Sequence, residues 1–314
     1  MTSSRVLVAG TRGSRLALRQ TDLVVAMLLQ ARATAAGSSV AEPSIDIREI
    51  RTEGDRDATT PLSRIGGQGV FVKELERALV RGEIDFAVHS LKDVPAELAA
   101  GCLIAAVPPR ADPRDALVSR SGAPLAGLPA GARVGTGSAR RAAQLRATRP
   151  DVEPVEIRGN VDTRIRKVDD GEFDAAVLAV AGLERLGLLE RASEVLEPDV
   201  MLPAVGQGAL AVEARADDAG VLALLATIDD HDARLACEAE RAFLSRLGGG
   251  CRLPFGALAT VDGDEMRIEG FIANDDGSRS FRDEVRGRAG AALGTHLAER
   301  LLAQGASEFV EALA

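Results

Sequence analysis

The chain has 314 residues, of which 46% are apolar and 27% charged, and its formal net charge is −9. That length suits two or three domains, and the apolar fraction supplies a substantial core and excludes global disorder. The acidic balance argues against a general nucleic-acid surface, and a sequence without Trp or Tyr lacks the stacking platform that single strands use.

The opening "RVLVAG" reads as a strand. "SRLALRQTDLVVAMLLQARA" follows as a helix, because Leu16, Leu18, Leu23, Val24, Met27 and Leu28 recur at helical spacing. "SIDIREIRT" alternates and is a strand, "GVFVKELERALVRGE" a helix, "IDFAVHS" a strand, and "CLIAAVPP" a strand that stops at two prolines. This alternation predicts an α/β layer with a mostly parallel sheet. The pattern then restarts: strand "RVGTG", helix "SARRAAQLRATR", strand "VEPVEIRG", helix "VDTRIRKVDDG", strand "FDAAVLAV" and helix "AGLERLGLL". "QGALAVEARA" is a further strand, expected to return to the first sheet. From Asp232 a helix leads to a glycine-rich loop, three hairpin-like strands and a closing helix from Ala291 to Leu313, which together predict a small α+β domain.

Two of these junctions share a pattern. "AGTRGSRLAL" and "VGTGSARRAAQL" each run from a strand, through a Gly/Ser turn carrying arginine, into a helix N-terminus. Exposed N–H groups and the positive end of the helix dipole make such turns anion sites. Ordinary N-capping by Ser14 and Ser138 is the competing reading, but capping does not require Arg12, Arg140 or Arg141. If the two α/β domains face each other, both turns open on one cleft at the carboxyl ends of the strands. "DFAVHSLKDVP" places Ser90, Lys92 and Asp93 at a strand end. A carboxylate beside a cation there can hold or transfer a proton, or stabilise a cationic intermediate; a plain surface Lys–Asp turn is the alternative. Lys92 stands out further because only three of the 38 basic residues are lysines. Arg12, Arg140, Arg141, Arg158, Arg164 and Arg185 gather at helix starts and strand ends, where arginine forks suit a ligand with many carboxylates.

The three cysteines form no C-x-x-C pair, and His89, His231 and His296 are remote from them in sequence, so neither a disulfide framework nor a zinc site is expected. Cys102 and Cys237 read as small core residues, and His89 as a core histidine. Cys251 differs: in "LSRLGGGCRLPFGALA" it follows three glycines and precedes a proline, on a loop whose backbone can approach another group closely. A chemically active thiol is the preferred reading. No stretch approaches a membrane span, and the N-terminal segment lacks the apolar core of a secretory leader, so a cytoplasmic location is expected.

Taken together, "TRGSRLAL", "GVFVKELE", "DFAVHSLKDVP", "GTGSARRAAQL", "IRGNVDTR", "LAVAGLERLG", "MLPAVGQGAL" and "GGGCRLPFGA" resemble, in order, the segments of the porphobilinogen deaminase (hydroxymethylbilane synthase) family. The resemblance implies two periplasmic-binding-protein-like α/β domains around a cleft, plus a small α+β C-terminal domain. The first would comprise residues 1–108 and 208–228, the second 109–207 and the third 229–314. It implies that Cys251 holds a dipyrromethane cofactor through a thioether. Asp93 would stabilise positive charge as porphobilinogen loses ammonia to give an azafulvene, and four additions would yield the linear tetrapyrrole. Arg12, Ser14, Ser90, Lys92, Thr136, Ser138, Arg140, Arg141, Arg158, Arg164, Arg185 and Gln207 would bind cofactor and substrate. Neither metal, nucleic acid nor membrane is implied, and a monomer is expected. The family's loop lysine is Gln68 here, so positive charge from that loop, read as a lid, is in doubt. A two-lobed binding or sensor protein for anionic ligands is the rival reading, although it leaves Cys251 and the third domain unexplained. A cysteine acyl transferase would need a base that no histidine is placed to supply.

Overall fold

The computed structural model describes residues 6–36, 44–52, 72–248, 254–274 and 276–311, and the chain divides into two units. The first takes in Met1–Asp57, Gln68–Arg110 and Ala209–Arg234; the second takes in Ala58–Gly67, Ala111–Gly208 and Leu235–Ala314. The predicted loop around Gln68 lies outside the described residues.

The first unit is built on strands β1 (Leu7–Thr11), β2 (Ile45–Glu49), β3 (Phe86–Ser90) and β4 (Cys102–Ala106), with β10 (Leu210–Arg215) arriving from later in the chain. Their order is β2-β1-β3-β10-β4. Helix α1 (Arg15–Ala36) covers one face, where Val24 and Leu28 meet Phe86, Val88 and Val212. Helix α2 (Lys73–Val80) covers the other, setting Leu75 and Leu79 against Ala87. Burial on both faces is why "FAVHS" and "LAVEA" are nearly continuous apolar runs rather than alternating ones. The sheet is half parallel, however, not mostly so. β1 runs parallel to β2 and β3, whereas β10 runs antiparallel to β3 and β4. A parallel partner for β3 would need a crossover helix; β10 instead enters beside the end of β3, with Leu210 opposite Ser90.

The second unit repeats the plan. Strands β5 (Asp115–Ser119), β6 (Arg133–Gly135), β7 (Glu153–Val155), β8 (Ala175–Ala179) and β9 (Glu194–Leu196) lie in the order β7-β6-β8-β5-β9. β6 is parallel to β7 and β8, while β5 is antiparallel to β8 and β9. Helices α3 (Ala139–Thr148), α4 (Val161–Asp169) and α5 (Val180–Arg185) follow β6, β7 and β8. β1–α1 and β6–α3, the two strand–turn–helix junctions singled out in the sequence, therefore hold the same place in their sheets. β5 and β9 fall where no strand is predicted. In the first unit, helix α6 (Ala219–Leu225) follows β10.

Helix α7 (His231–Arg246) precedes an antiparallel meander of β11 (Phe255–Asp262), β12 (Glu265–Ala273) and β13 (Ser280–Arg288) in the second unit. One meander face packs on α7 and α8 (Ala291–Leu301) through Phe243, Ile268, Ile272, Leu297 and Leu301. Leu258, Phe271 and Ala273 pack instead on Ala143 of α3 and on Leu202. The closing helix is not continuous. It widens over Leu302–Ala306 and resumes as α9 (Ser307–Glu311), because Gly305 adopts φ +119 in the left-handed region.

α7 and α8 cross at Gly294, where an added Cβ would lie 1.8 Å from the Ala239 carbonyl oxygen. Because that neighbour is backbone, the helices must separate to admit even a methyl group. Gly294→Ala is expected to destabilise the chain by about 1–3 kcal/mol or more, as overpacking does. Urea unfolding checks this, and an unchanged midpoint would contradict the crossing.

Candidate functional site

In each unit, the Gly/Ser turn singled out in the sequence lies where a parallel strand ends. This carboxyl edge is where ligands bind in open α/β sheets. In the first unit, β1 ends at Thr11 and runs into Arg12 and Ser14, and the parallel neighbour β3 ends at Ser90. Ser14 is the N-cap of α1: its Oγ accepts the Ala17 N–H at 3.2 Å. The capping reading therefore holds for this serine. Arg12 beside it is half-buried. After Ser90 a single 3-10 turn, Leu91–Asp93, presents Lys92 exposed and Asp93 half-buried. This turn is fixed from two sides. The Leu91 N–H donates to the Ala209 carbonyl at 3.1 Å, and the Ser90 hydroxyl lies 2.9 Å from the Gln20 side-chain nitrogen. Gln20 is itself buried on α1; its role shows only once the helix is placed on the sheet.

The second unit concentrates its polar groups more tightly. β6 runs into Thr136 and Ser138, and the Thr136 hydroxyl accepts the Ser138 N–H at 3.2 Å. Ser138 caps α3, accepting the Arg141 N–H at 3.5 Å. Arg140 and Arg141, in the first turn of α3, are 5% and 6% exposed and share a fully buried carboxylate, Asp115. Asp115 Oδ1 accepts Arg141 Nη2 at 2.6 Å and Nε at 3.1 Å, while Oδ2 lies 2.8 Å from Arg140 Nη1. Gln207 joins them, donating Nε2 to Asp115 Oδ1 at 2.9 Å and to the Pro113 carbonyl at 2.7 Å. Burial pushes the Asp115 carboxyl up, but Arg140 and then Arg141 overcome that and hold it well below the usual carboxylate range. Burial also lowers Arg140, ahead of the opposing pull of Asp115.

Arg185 ends α5 half-buried, with Nη2 donating to the Gly208 carbonyl at 2.6 Å, and burial lowers it to about 10. Arg158 follows β7 and is half-buried. Arg164, on α4, donates Nε to the Gly159 carbonyl at 2.8 Å. Thus Arg140, Arg141 and Gln207 meet on one carboxylate, and Thr136 and Ser138 share the turn before them. Asp115 itself is absent from the sequence-based candidates. Its signal was an acidic residue opening the apolar run "DALVS", since a charge at a buried strand start demands a partner.

Elsewhere, His89 is a core histidine, with Nε2 2.9 Å from Oε2 of buried Glu213. Cys237 is a buried thiol outside any disulfide. Cys102 is likewise not disulfide-bonded, and burial, with Glu213 beside it, pushes its thiol up to about 11. Cys251 lies outside the described residues. Among the described residues, no group of His, Cys, Asp and Glu is arranged to hold a metal, and no helix is long and apolar enough to cross a membrane.

Two family models match: "Porphobilinogen deaminase, dipyromethane cofactor binding domain" over residues 7–223, and "Porphobilinogen deaminase, C-terminal domain" over residues 234–303. The chain belongs to the porphobilinogen deaminase family. It is 54% identical over 303 residues to a porphobilinogen deaminase of Roseiflexus sp. (strain RS-1), covering 96% of this chain and 97% of the relative. It is 50% identical over 300 residues to one of Brevibacillus brevis, covering 95% and 94%. Among solved structures, a YaeC-family lipoprotein from Enterococcus faecalis V583 gives a TM-score of 0.41 at 16% identity, covering 79% of this chain and 98% of that one. The chain is therefore a transferase carrying a dipyrromethane cofactor-binding domain. Its fold is two mixed α/β sheets covered by helices, with an α+β C-terminal part built on an antiparallel meander. Arg12 through Gln207 fall inside the cofactor-binding match, and Cys251 falls in the C-terminal one.

The depressed Asp115 fixes a sign for acid unfolding. A carboxyl whose folded pKa lies below its unfolded value contributes stability that is complete above the unfolded value, about 4, and is lost as pH falls through the folded one. Asp115→Asn removes that contribution. Denaturant unfolding against pH is expected to show the variant closing on the wild type below about pH 4; a constant gap across the acid range would count against the assignment.

Proposed function

We propose that the chain condenses four porphobilinogen molecules into linear hydroxymethylbilane, releasing ammonia at each step, on a dipyrromethane primer held as a thioether by Cys251. The observation that carries this reading is the unequal charge buried in the second unit, where two guanidiniums share one carboxylate. A desolvated surplus of positive charge is costly by itself and becomes favourable only with an anionic ligand. Acetate and propionate side chains, borne by porphobilinogen and by a dipyrromethane alike, are such anions, so the residues present fit the group.

When bound, the dipyrromethane supplies a nucleophilic pyrrole carbon at a fixed attachment point. The chain's own residues do the rest. Arg140, Arg141, Arg158, Arg164 and Arg185 of the second unit, and Arg12 and Lys92 of the first, are the cations for ring carboxylates. Ser14, Ser90, Thr136, Ser138 and Gln207 add hydrogen-bonding groups, and burial of the arginine pair strengthens each interaction. Asp93 stabilises the cation left when porphobilinogen's ammonium departs as ammonia, then accepts the pyrrole proton whose loss restores neutrality. Its half-buried position at the end of β3 suits both tasks, because partial burial strengthens its field on a developing cation. Residues 229–314 form the domain that presents Cys251, and the enzyme works as a monomer.

The test is the intact mass of the purified chain. We expect an excess of two condensed pyrrole units on the peptide containing Cys251, absent with turnover in Cys251→Ser; a Cys251→Ser chain that turned over porphobilinogen would refute the attachment. Asp93→Ala should keep its unfolding midpoint and lose about 10²–10⁴-fold in turnover, the range of a displaced acid–base group. Near-native rates in that variant would remove Asp93 from the chemistry.

A further inference from the structure

The two arginines of α3 are not satisfied alike. Arg141 has a partner at every side-chain nitrogen: Nε and Nη2 both donate to Asp115 Oδ1, and Nη1 donates to the Val177 carbonyl at 2.8 Å. Arg140 donates Nη1 to the Leu202 carbonyl at 2.6 Å and lies against Asp115 Oδ2, yet its buried Nε has no hydrogen-bond partner among the described residues. Oδ2 itself accepts no well-aligned hydrogen bond, so its contact with Arg140 is one of charge. A buried donor left unmatched is costly and calls for an acceptor.

Asp115 reaches this position because β5 runs antiparallel to β8. That direction sets the first residue of β5 opposite Ala179, the last residue of β8, and so at the carboxyl edge of the parallel strands. Gln207 braces the same oxygen that Arg141 uses. The carboxylate is therefore committed on Oδ1 and under-used on Oδ2.

We propose that Asp115 is a positioning residue for the condensation reaction: it locks Arg141 in place as a structural cation and leaves Arg140 with donor capacity for a ligand carboxylate. The pair then carries one net positive charge, which a single carboxylate neutralises. This rests on the functional reading above, since it assigns unequal roles within the binding group proposed there.

The test combines arginine side-chain NMR with kinetics on the full-length chain. A hydrogen bond to carboxylate deshields the donated proton, so in the primer-free Cys251→Ser chain, where no ligand carboxylate reaches Arg140, the Arg141 Hε resonance should lie downfield of that of Arg140; Arg140→Lys and Arg141→Lys in the same background assign the two signals. The reverse order in that chain would overturn the proposal. In Asp115→Asn, the Arg141 signal should move upfield towards the bulk arginines. KM for porphobilinogen should rise about tenfold or more, as expected for loss of a charged hydrogen-bond partner, with a smaller change in kcat. Asp115→Glu, which keeps the charge, should recover most of the loss. A purely structural Asp115 would lower the melting temperature and leave KM per folded molecule unchanged, and that result would also overturn the proposal. Failure of the wild-type chain to turn over porphobilinogen would sink the functional reading instead, because the resonance order is read without substrate.

Discussion

One buried carboxylate organises the second unit. Asp115 is fully buried, opens β5, and binds both arginines of α3 and the amide of Gln207. Strand, helix and returning loop therefore meet at a single charge whose removal would leave two buried cations. Broken buried pairs of this kind are strongly destabilising. The helix that carries the arginines is held on its flank by the meander, through Ala143, Leu258 and Phe271, and Arg146 donates to the Asp276 carbonyl at 3.4 Å. Geometry at the arginines is thus set by packing that begins well away from them.

Sheet topology does the same work in the first unit. Placing β1 parallel beside β3 brings Arg12 and Ser14 to the same edge as Ser90, Lys92 and Asp93, although some eighty residues separate them in sequence. The repeated sheet order explains why "AGTRGSRLAL" and "VGTGSARRAAQL" look alike: each fills the same slot, and each ends in a serine-capped helix.

Much of this was legible in the sequence. Helical spacing placed α1, α3 and α7, and Gly/Ser turns marked the two anion-type junctions, because those signals are local. What escaped was set by distant partners. The antiparallel course of β10 and β5 depends on where the chain re-enters each sheet, which no window of sequence records. Asp115 hid because "DALVS" follows a Pro-Arg turn and reads as loop until β8 is beside it. The break at Gly305 escaped because a lone glycine is compatible with a helix; here it sits under Phe281, whose ring lies 3.1 Å from where a Cβ would be. Capping by Ser14 and Ser138 and binding of anions are not exclusive, since one hydroxyl satisfies one of several helix-start donors.

The two described thiols carry a consequence for labelling. Cys237 is 1% exposed, and Cys102 is held protonated far above neutral pH by burial and Glu213. Thiolate is the species that reacts with electrophiles, so neither residue competes for an alkylating reagent on the folded chain. A sulfur already committed to a thioether does not form a thiolate either, so on the functional reading above the loaded enzyme is inert to such reagents although its sequence holds three cysteines. Uptake of an alkylating reagent by the folded chain then counts the fraction of molecules that carries no primer.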